Sequence, residues 1–216
     1  MDELARRSRR PVAGGAHRAP GRRVIATVAV LAVLVVGLLA AWLTIPAWYR
    51  TWMPSGIGRL GFPLQHVQDI RSAAQRNRLD PALVAAVIYT ESHFDQSVRS
   101  HSGAVGLMQV MPATAQEIAH KSGGITFVTS DLGTPRINIL YGCFYLRRLD
   151  DQFHGSIVET LAAYNAGAGN VDAWIATQGQ TLRAVDIPFG ETRTYVERVL
   201  SLRTVYRHIY GAQLGN

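Results

Sequence analysis

The 216-residue chain carries 22 Lys and Arg against 15 Asp and Glu, a net charge of +7, with 48% apolar residues and a single cysteine. That apolar share is ample for a packed core, and one cysteine excludes an internal disulfide framework. The charge does not argue for nucleic acid. Residues 1–23 hold seven arginines against Asp2 and Glu3, whereas residues 50–216 carry 15 basic against 13 acidic groups, so the excess is a property of one tail.

Residues 1–23, rich in Arg, Gly, Pro and Ala, have almost no large apolar side chain and are expected to be a disordered tail. Val24 to Ile45 follows as 22 residues without a charge, enough at helical rise to cross a hydrocarbon core of roughly 30 Å. It reads as a retained transmembrane helix. A signal peptide's apolar region is typically about 7–15 residues, and no small-x-small cleavage site follows Leu43. The arginines before the run outnumber Arg50 and Arg59 after it, which puts the N-terminus in the cytoplasm and the remainder outside. Trp42, Trp48, Tyr49 and Trp52 fit an aromatic belt at the outer interface. Residues 46–63, with Pro54, Gly56, Gly58 and Gly61, form a linker, and residues 64–216 are the expected folded domain.

That domain reads as helical throughout. Leu64, Val67, Ile70, Ala73 and Ala74 predict a helix ending near Asn77. Asp80-Pro81 supplies an N-cap acceptor and a first-turn proline, and Leu83, Val84, Val87 and Ile88 carry the next helix to about His93. Pro112 opens a helix with Ala115, Ile118 and Ala119 that Gly123-Gly124 should stop. Thr134-Pro135 starts a long one to about Phe153, with Ile137, Leu140, Tyr141, Phe144 and Arg148 as its stripe. Ser156-Ile157-Val158-Glu159 has the pattern of a capping box, Asn170 is placed as the cap of a short helix with Val171 and Trp174, and a last helix runs through Val199, Leu202, Tyr206 and Ile209. No alternating strand pattern of any length occurs.

Glu91 shares the apolar face of Val87 and Ile88 near the end of its helix. Burial and the negative end of the helix dipole both disfavour its charged form, which suits a general acid that must hold a proton near neutral pH. The Gly-rich run that follows, Ser100-His101-Ser102-Gly103-Ala104-Val105-Gly106-Leu107-Met108-Gln109-Val110-Met111-Pro112, sets apolar bulk and an amide beside that carboxyl. Cys143 lies within a helical pattern and reads as a small core residue. His93 and His101 form no metal-ligating spacing, and no Gly-rich loop follows a strand, so neither a metal nor another cofactor is expected.

Glu91-Ser92-His93-Phe94 and the Gly-rich run, with Asn138-Ile139-Leu140-Tyr141-Gly142, Tyr164-Asn165-Ala166-Gly167 and Glu191-Thr192-Arg193-Thr194-Tyr195-Val196, together resemble the sequence blocks of the lytic transglycosylases of the soluble-transglycosylase (SLT) type, glycoside hydrolase family 23. The likeness spans roughly residues 66 to 206. It implies an all-α, goose-lysozyme-like helical domain of the α+β lysozyme superfamily, here behind one transmembrane helix. It implies Glu91 as the single catalytic acid, and peptidoglycan glycan strands as substrate, cut without water to leave 1,6-anhydromuramoyl ends. Ser100, Gln109, Met111, Tyr164, Asn165, Glu191 and Tyr195 match substrate-binding or positioning residues, with Tyr164 the favoured partner of the carboxyl. Ser102 remains an alternative to Ser100, and Gly142 should let a neighbouring helix approach. Gln96 and Thr134 depart from the more usual proline and aspartate, and neither touches the acid. Cell-wall assembly proteins are candidate partners. Two other readings stand beside this one: a lysozyme- or chitinase-like hydrolase using Asp95 as a second carboxylate, and a non-catalytic wall-binding scaffold.

Overall fold

The computed structural model describes residues 61–122 and 127–215. The basic tail, the expected span at 24–45, most of the linker and the Gly123-Gly124 stop lie outside the described residues. Seven α-helices are described: α1 (Val67–Arg76), α2 (Pro81–Ser92), α3 (Pro112–Ser122), α4 (Pro135–Gln152), α5 (Ile157–Ala166), α6 (Ala168–Gln178) and α7 (Gly190–Leu214). Short 3-10 turns at Thr129–Gly133 and Ala184–Asp186 lie between them. Among the described residues β-structure is limited to isolated bridges pairing Val105 with Arg99 and with Val110. No helix among them is long and apolar enough to cross a membrane.

Helix α2 is the hub. Asp80 Oδ1 accepts from Ala82 N at 2.9 Å, Pro81 takes the first turn, and every residue from Ala82 to Ile88 is buried. A helix apolar on all sides must be surrounded, and α7 lies along it while α1 covers another flank. Over 25 residues α7 buries Tyr195, Val199, Leu202, Tyr206 and Ile209 at helical spacing. It grips α2 at both ends. Arg203 Nε and Arg207 Nη2 reach Asp80 Oδ2 at 2.6 Å each, while Tyr195, about 12 Å along the axis from Arg203, reaches Glu91. Behind α2, the hydroxyls of Tyr89, Tyr206 and Tyr210 donate to the carbonyls of Gly61, Pro63 and Phe62, at the end of the expected linker.

Several local expectations are corrected. The buried face of α4 is Asn138, Ile139, Gly142, Cys143, Leu146 and Leu149, and Phe144 is exposed. A polar residue and a glycine on the true face pulled the hydrophobicity reading onto the adjacent, bulkier stripe. The close neighbour of Gly142 is not a helix: a Cβ there would come within 2.5 Å of the Met108 sulfur. Ser156 makes no side-chain cap, because Glu159 turns inward and accepts from Leu182 N at 2.8 Å, tying the chain beyond α6 to α5. Asn170 lies inside α6, with Gly167 at its N-cap, and donates to Ala166 O. Gly167 at φ 89° lets α6 begin immediately after α5 ends.

Asp80 joins a helix cap to two arginines, so its substitutions should separate the two contributions. In urea denaturation, Asp80→Ala is expected to cost about 2–3 kcal/mol and Asp80→Asn, which can still cap, about 1–2 kcal/mol. Equal losses would mean that the cap contributes nothing.

Candidate active site

Glu91 stands one residue before the end of α2, half-buried, with its Oε1 accepting from the Tyr195 hydroxyl of α7 at 2.8 Å. Burial pushes the carboxyl up to about 7, against the opposing pull of that hydrogen bond. Tyr195 and Tyr164 are in turn pushed well above the usual phenol range, first by burial and then by the charge of Glu91. One carboxyl and two phenols, from α2, α7 and α5, thus form an electrostatic unit. The phenol bonded to the acid is Tyr195, not Tyr164, whose hydroxyl donates to Met108 O at 2.8 Å. The sequence favours Tyr164 as the partner of the carboxyl, and the structure corrects this, because α7 and not α5 brings its hydroxyl to Glu91 Oε1.

Helix α2 ends abruptly. His93 and Phe94 both take positive φ (53° and 67°), turning the chain into the Gly-rich loop. Asp95 is therefore not on the helix face of Glu91. It is exposed, accepts from Ser97 through both backbone and side chain, and is held below the usual carboxylate range chiefly by the Ser97 hydroxyl. The loop is secured from within. Gly106 at φ 77° and Gln109 at φ 46° bracket a turn, and Val105 and Val110 exchange backbone bonds at 3.1 Å. Gln109 Nε2 donates to Val98 O and Gly106 O, so both amide hydrogens brace the loop and only its oxygen is left to address a ligand. Ser100 Oγ accepts from Ala104 N at 2.9 Å and lies 2.8 Å from Ser102 Oγ. These two hydroxyls are bonded to each other and stand as a pair. Leu107 and Met108 are fully buried, while Met111 is 39% exposed.

Asn165 is exposed and its Oδ1 accepts from the buried Thr192 hydroxyl at 2.8 Å, joining the end of α5 to the first turn of α7. Glu191 is exposed one turn before Tyr195, on the same side of α7. Two side chains important to this site were not singled out in the sequence. Ser92 Oγ bonds to Leu107 O at 2.8 Å, and Asn138 bonds to three backbone groups around the loop. A buried asparagine in an apolar helical face is the signal that marks Asn138, because such a group needs partners. Cys143 is buried, and burial pushes its thiol far above the usual range. Among the described residues no three His, Cys, Asp or Glu side chains gather as metal ligands.

Residues 68–187 match the Transglycosylase SLT domain family, and residues 186–214 match the Soluble lytic transglycosylase helical domain. The chain belongs to the SLT family of lytic transglycosylase domains. The soluble lytic murein transglycosylase of Escherichia coli K12 is 35% identical over 156 residues, covering 69% of this chain and 24% of that protein. The membrane-bound lytic murein transglycosylase C of Edwardsiella ictaluri is 32% identical over 169 residues, covering 67% of this chain and 47% of that protein. An inactive glutamate-to-glutamine mutant of Pseudomonas aeruginosa Slt superposes with a TM-score of 0.65 at 36% identity, covering 71% of this chain and 26% of that one. The chain thus spans about a quarter of the soluble relative and under half of the membrane-bound one.

A carboxyl with a folded pKa near 7 and an ordinary value of 4.5 makes folding easiest when it is protonated. Its contribution is fully present below about pH 4.5 and is lost as pH rises through 7, by up to ~3 kcal/mol. Glu91→Gln should therefore be more stable than the native chain at pH 8, with the gain gone at pH 4. Thermal melts at the two pH values measure this, and a pH-independent difference would contradict the buried acid.

Proposed function

We propose that this protein is a membrane-anchored lytic transglycosylase that cleaves peptidoglycan glycan strands between N-acetylmuramic acid and N-acetylglucosamine. The observation that carries the reading is the half-buried carboxyl of Glu91, its pKa pushed up to about 7 by burial and the group oriented by Tyr195. The inactive glutamate-to-glutamine mutant of the Pseudomonas relative supports reliance on one such side chain. So does Asp95, which is turned to Ser97 instead of lying beside Glu91 on a continuing helix.

In this mechanism Glu91 donates its proton to the glycosidic oxygen as the bond from that oxygen to C1 of the muramoyl sugar breaks. The muramoyl C6 hydroxyl attacks the same C1, and the carboxylate of Glu91 takes the hydroxyl proton. The acid is regenerated, the product carries a 1,6-anhydro end, and no water is consumed. An intramolecular nucleophile needs only orientation, which gives it a large effective concentration. Tyr195 fits both halves, since its hydroxyl supports the carboxylate that forms between the two proton transfers. Ser100, Gln109, Met111, Asn165 and Glu191 are assigned to the glycan strand, Gln109 through its free oxygen and Met111 through its exposed side chain.

The anchor is assigned to residues 24–45, on their uncharged length and on the arginines that precede them, with the N-terminus cytoplasmic and the catalytic domain outside the bacterial cytoplasmic membrane. A relative named as membrane-bound supports a membrane location in general.

Mass spectrometry of digested sacculi should yield anhydro ends, and reducing ends would make the enzyme a hydrolase. Glu91→Gln should lower kcat/KM by about 10³-fold or more. The native kcat/KM should fall as pH rises through about 7, because the proton to be donated is lost there. Retained lysis by the variant would remove Glu91 from the chemistry. In bacterial membranes the full chain should resist extraction by alkaline carbonate, and its release would remove the anchor.

A further inference from the structure

Three successive carbonyls ahead of α1 are each met by a tyrosine hydroxyl. Tyr89 donates to Gly61 O at 3.2 Å, Tyr210 to Phe62 O at 2.8 Å and Tyr206 to Pro63 O at 2.9 Å. Connecting segments ordinarily leave such groups to water, so three in a row held by phenols of α2 and α7 make Gly61, Phe62 and Pro63 a seated strap. Phe62 adds a ring contact with Tyr89, centroids 5.7 Å apart. The same tyrosines reach the end of the helix that carries Glu91. The Tyr89 ring lies 4.7 Å from that of His93, and the Tyr206 ring 6.2 Å from that of Phe94. His93 and Phe94 are the two left-handed residues that stop α2 just after Glu91 and Ser92. Such conformations are costly for residues with a Cβ and persist where the surroundings fix them. The His93 N–H donates to Tyr89 O at 3.0 Å, and its Nε2 lies 3.3 Å from Nη2 of Arg198, about one turn beyond Tyr195 on α7.

We propose that residues 61–63 are a positioning strap for the acid: seated on Tyr89, Tyr206 and Tyr210, they fix the rings that hold His93 and Phe94, and so fix where α2 ends and where Glu91 points. Tyr206 has no exposed surface and its hydroxyl donates to Pro63 O, while Phe94 is 4% exposed. With the strap unseated, that buried donor loses its acceptor and must turn to water, which draws the ring away from Phe94. Tyr89 likewise loses Phe62 from beside it and with it the support it gives His93. The last turn of α2 then loses its fixed stop. The Glu91 carboxyl gains water, and its 2.8 Å contact with the Tyr195 hydroxyl loses alignment. Ser100, Gln109, Met111, Asn165 and Glu191 take no part in the seat, so the groups assigned to the glycan strand stay in place. The end of the expected linker is therefore part of the active-site scaffold and not only a spacer.

This inference deepens the reading of Glu91 as the general acid and rests on it. Its test changes the strap alone, in the full chain: Phe62→Ala combined with Pro63→Gly leaves every residue of α2 and α7 as it is. The Glu91 carboxyl is titrated by ¹³C NMR, and kcat and KM are measured on sacculi under conditions where the variant is folded. The midpoint should fall by about one unit as the carboxyl gains water, and kcat should fall about tenfold with KM unchanged. Phe62→Tyr, which keeps the ring, should behave as the native chain. A folded double variant with native midpoint and native kcat, or with its loss in KM alone, would make the strap a spacer and overturn the proposal. If the double variant does not fold, Tyr206→Phe decides in the same way, because it keeps the ring beside Phe94 and removes only the bond to Pro63 O. Failure of the lytic reading looks different: Glu91→Gln would keep its activity, while the titration, which needs no turnover, would still report on the strap.

Discussion

The structure depends on a carboxyl group held away from water beside a phenol. Burial raises the acid, the Tyr195 hydrogen bond lowers it, and the balance comes to rest near 7. With the hydrogen bond alone the group would be an ordinary carboxylate with no proton to give. With burial alone, its deprotonated state would have no supporting donor. Both effects require that α2 be enclosed along its length and that α7 run far enough beside it to bring Tyr195 to the acid. Asp80, which caps the start of α2 and receives Arg203 and Arg207, fixes the relative register of the two helices at the opposite end. The separation of Tyr195 from Arg207 on α7, 12 residues, and that of Glu91 from Asp80 on α2, 11 residues, correspond to similar lengths of helix.

Beside this helical frame lies a wall made of backbone. The loop from Phe94 to Met111 has no regular secondary structure, yet its carbonyls and amides are paired by Ser92, Gln109, Asn138 and Tyr164. Such pairing is what lets an irregular segment sit against a core without leaving unsatisfied polar groups, and the described residues contain no buried side-chain polar atom without a partner. Left-handed conformations at His93, Phe94, Gly103, Gly106 and Gln109 give the loop its path, and the network makes that path a single one.

Much of the architecture was legible in the amino-acid order because it rests on local chemistry. Asp80-Pro81 and Pro112 open helices where the capping rules place them, the apolar spacing of α2 and α7 marks their buried positions, and Glu91 falls near the end of α2 on the side of Val87 and Ile88. The family blocks gathered the candidate residues onto the ends of α2, α5 and α7 and the Gly-rich loop. Periodicity misled where a buried face carries its own polar or small residues, as on α4, and a capping pattern misled where Glu159 had a better partner in Leu182 N.

Among the described residues, the sequence by itself determined which segments are helical, that one glutamate ends an apolar helix, and that a glycine-rich turn follows, since all three depend on interactions spanning a few residues. Only the tertiary structure decided that Tyr195 and not Tyr164 bonds the acid, that Asn138 and Ser92 hold the loop, and that Asp95 turns away to Ser97. The Ser92–Leu107, Asn138–Met108, Tyr164–Met108 and Tyr195–Glu91 pairings join positions between 15 and 104 residues apart, and which of two similar side chains completes such a bond depends on helix register and packing distance. The turn at Asp95 depends on where α2 stops, which its positive-φ residues set and helical periodicity does not reveal.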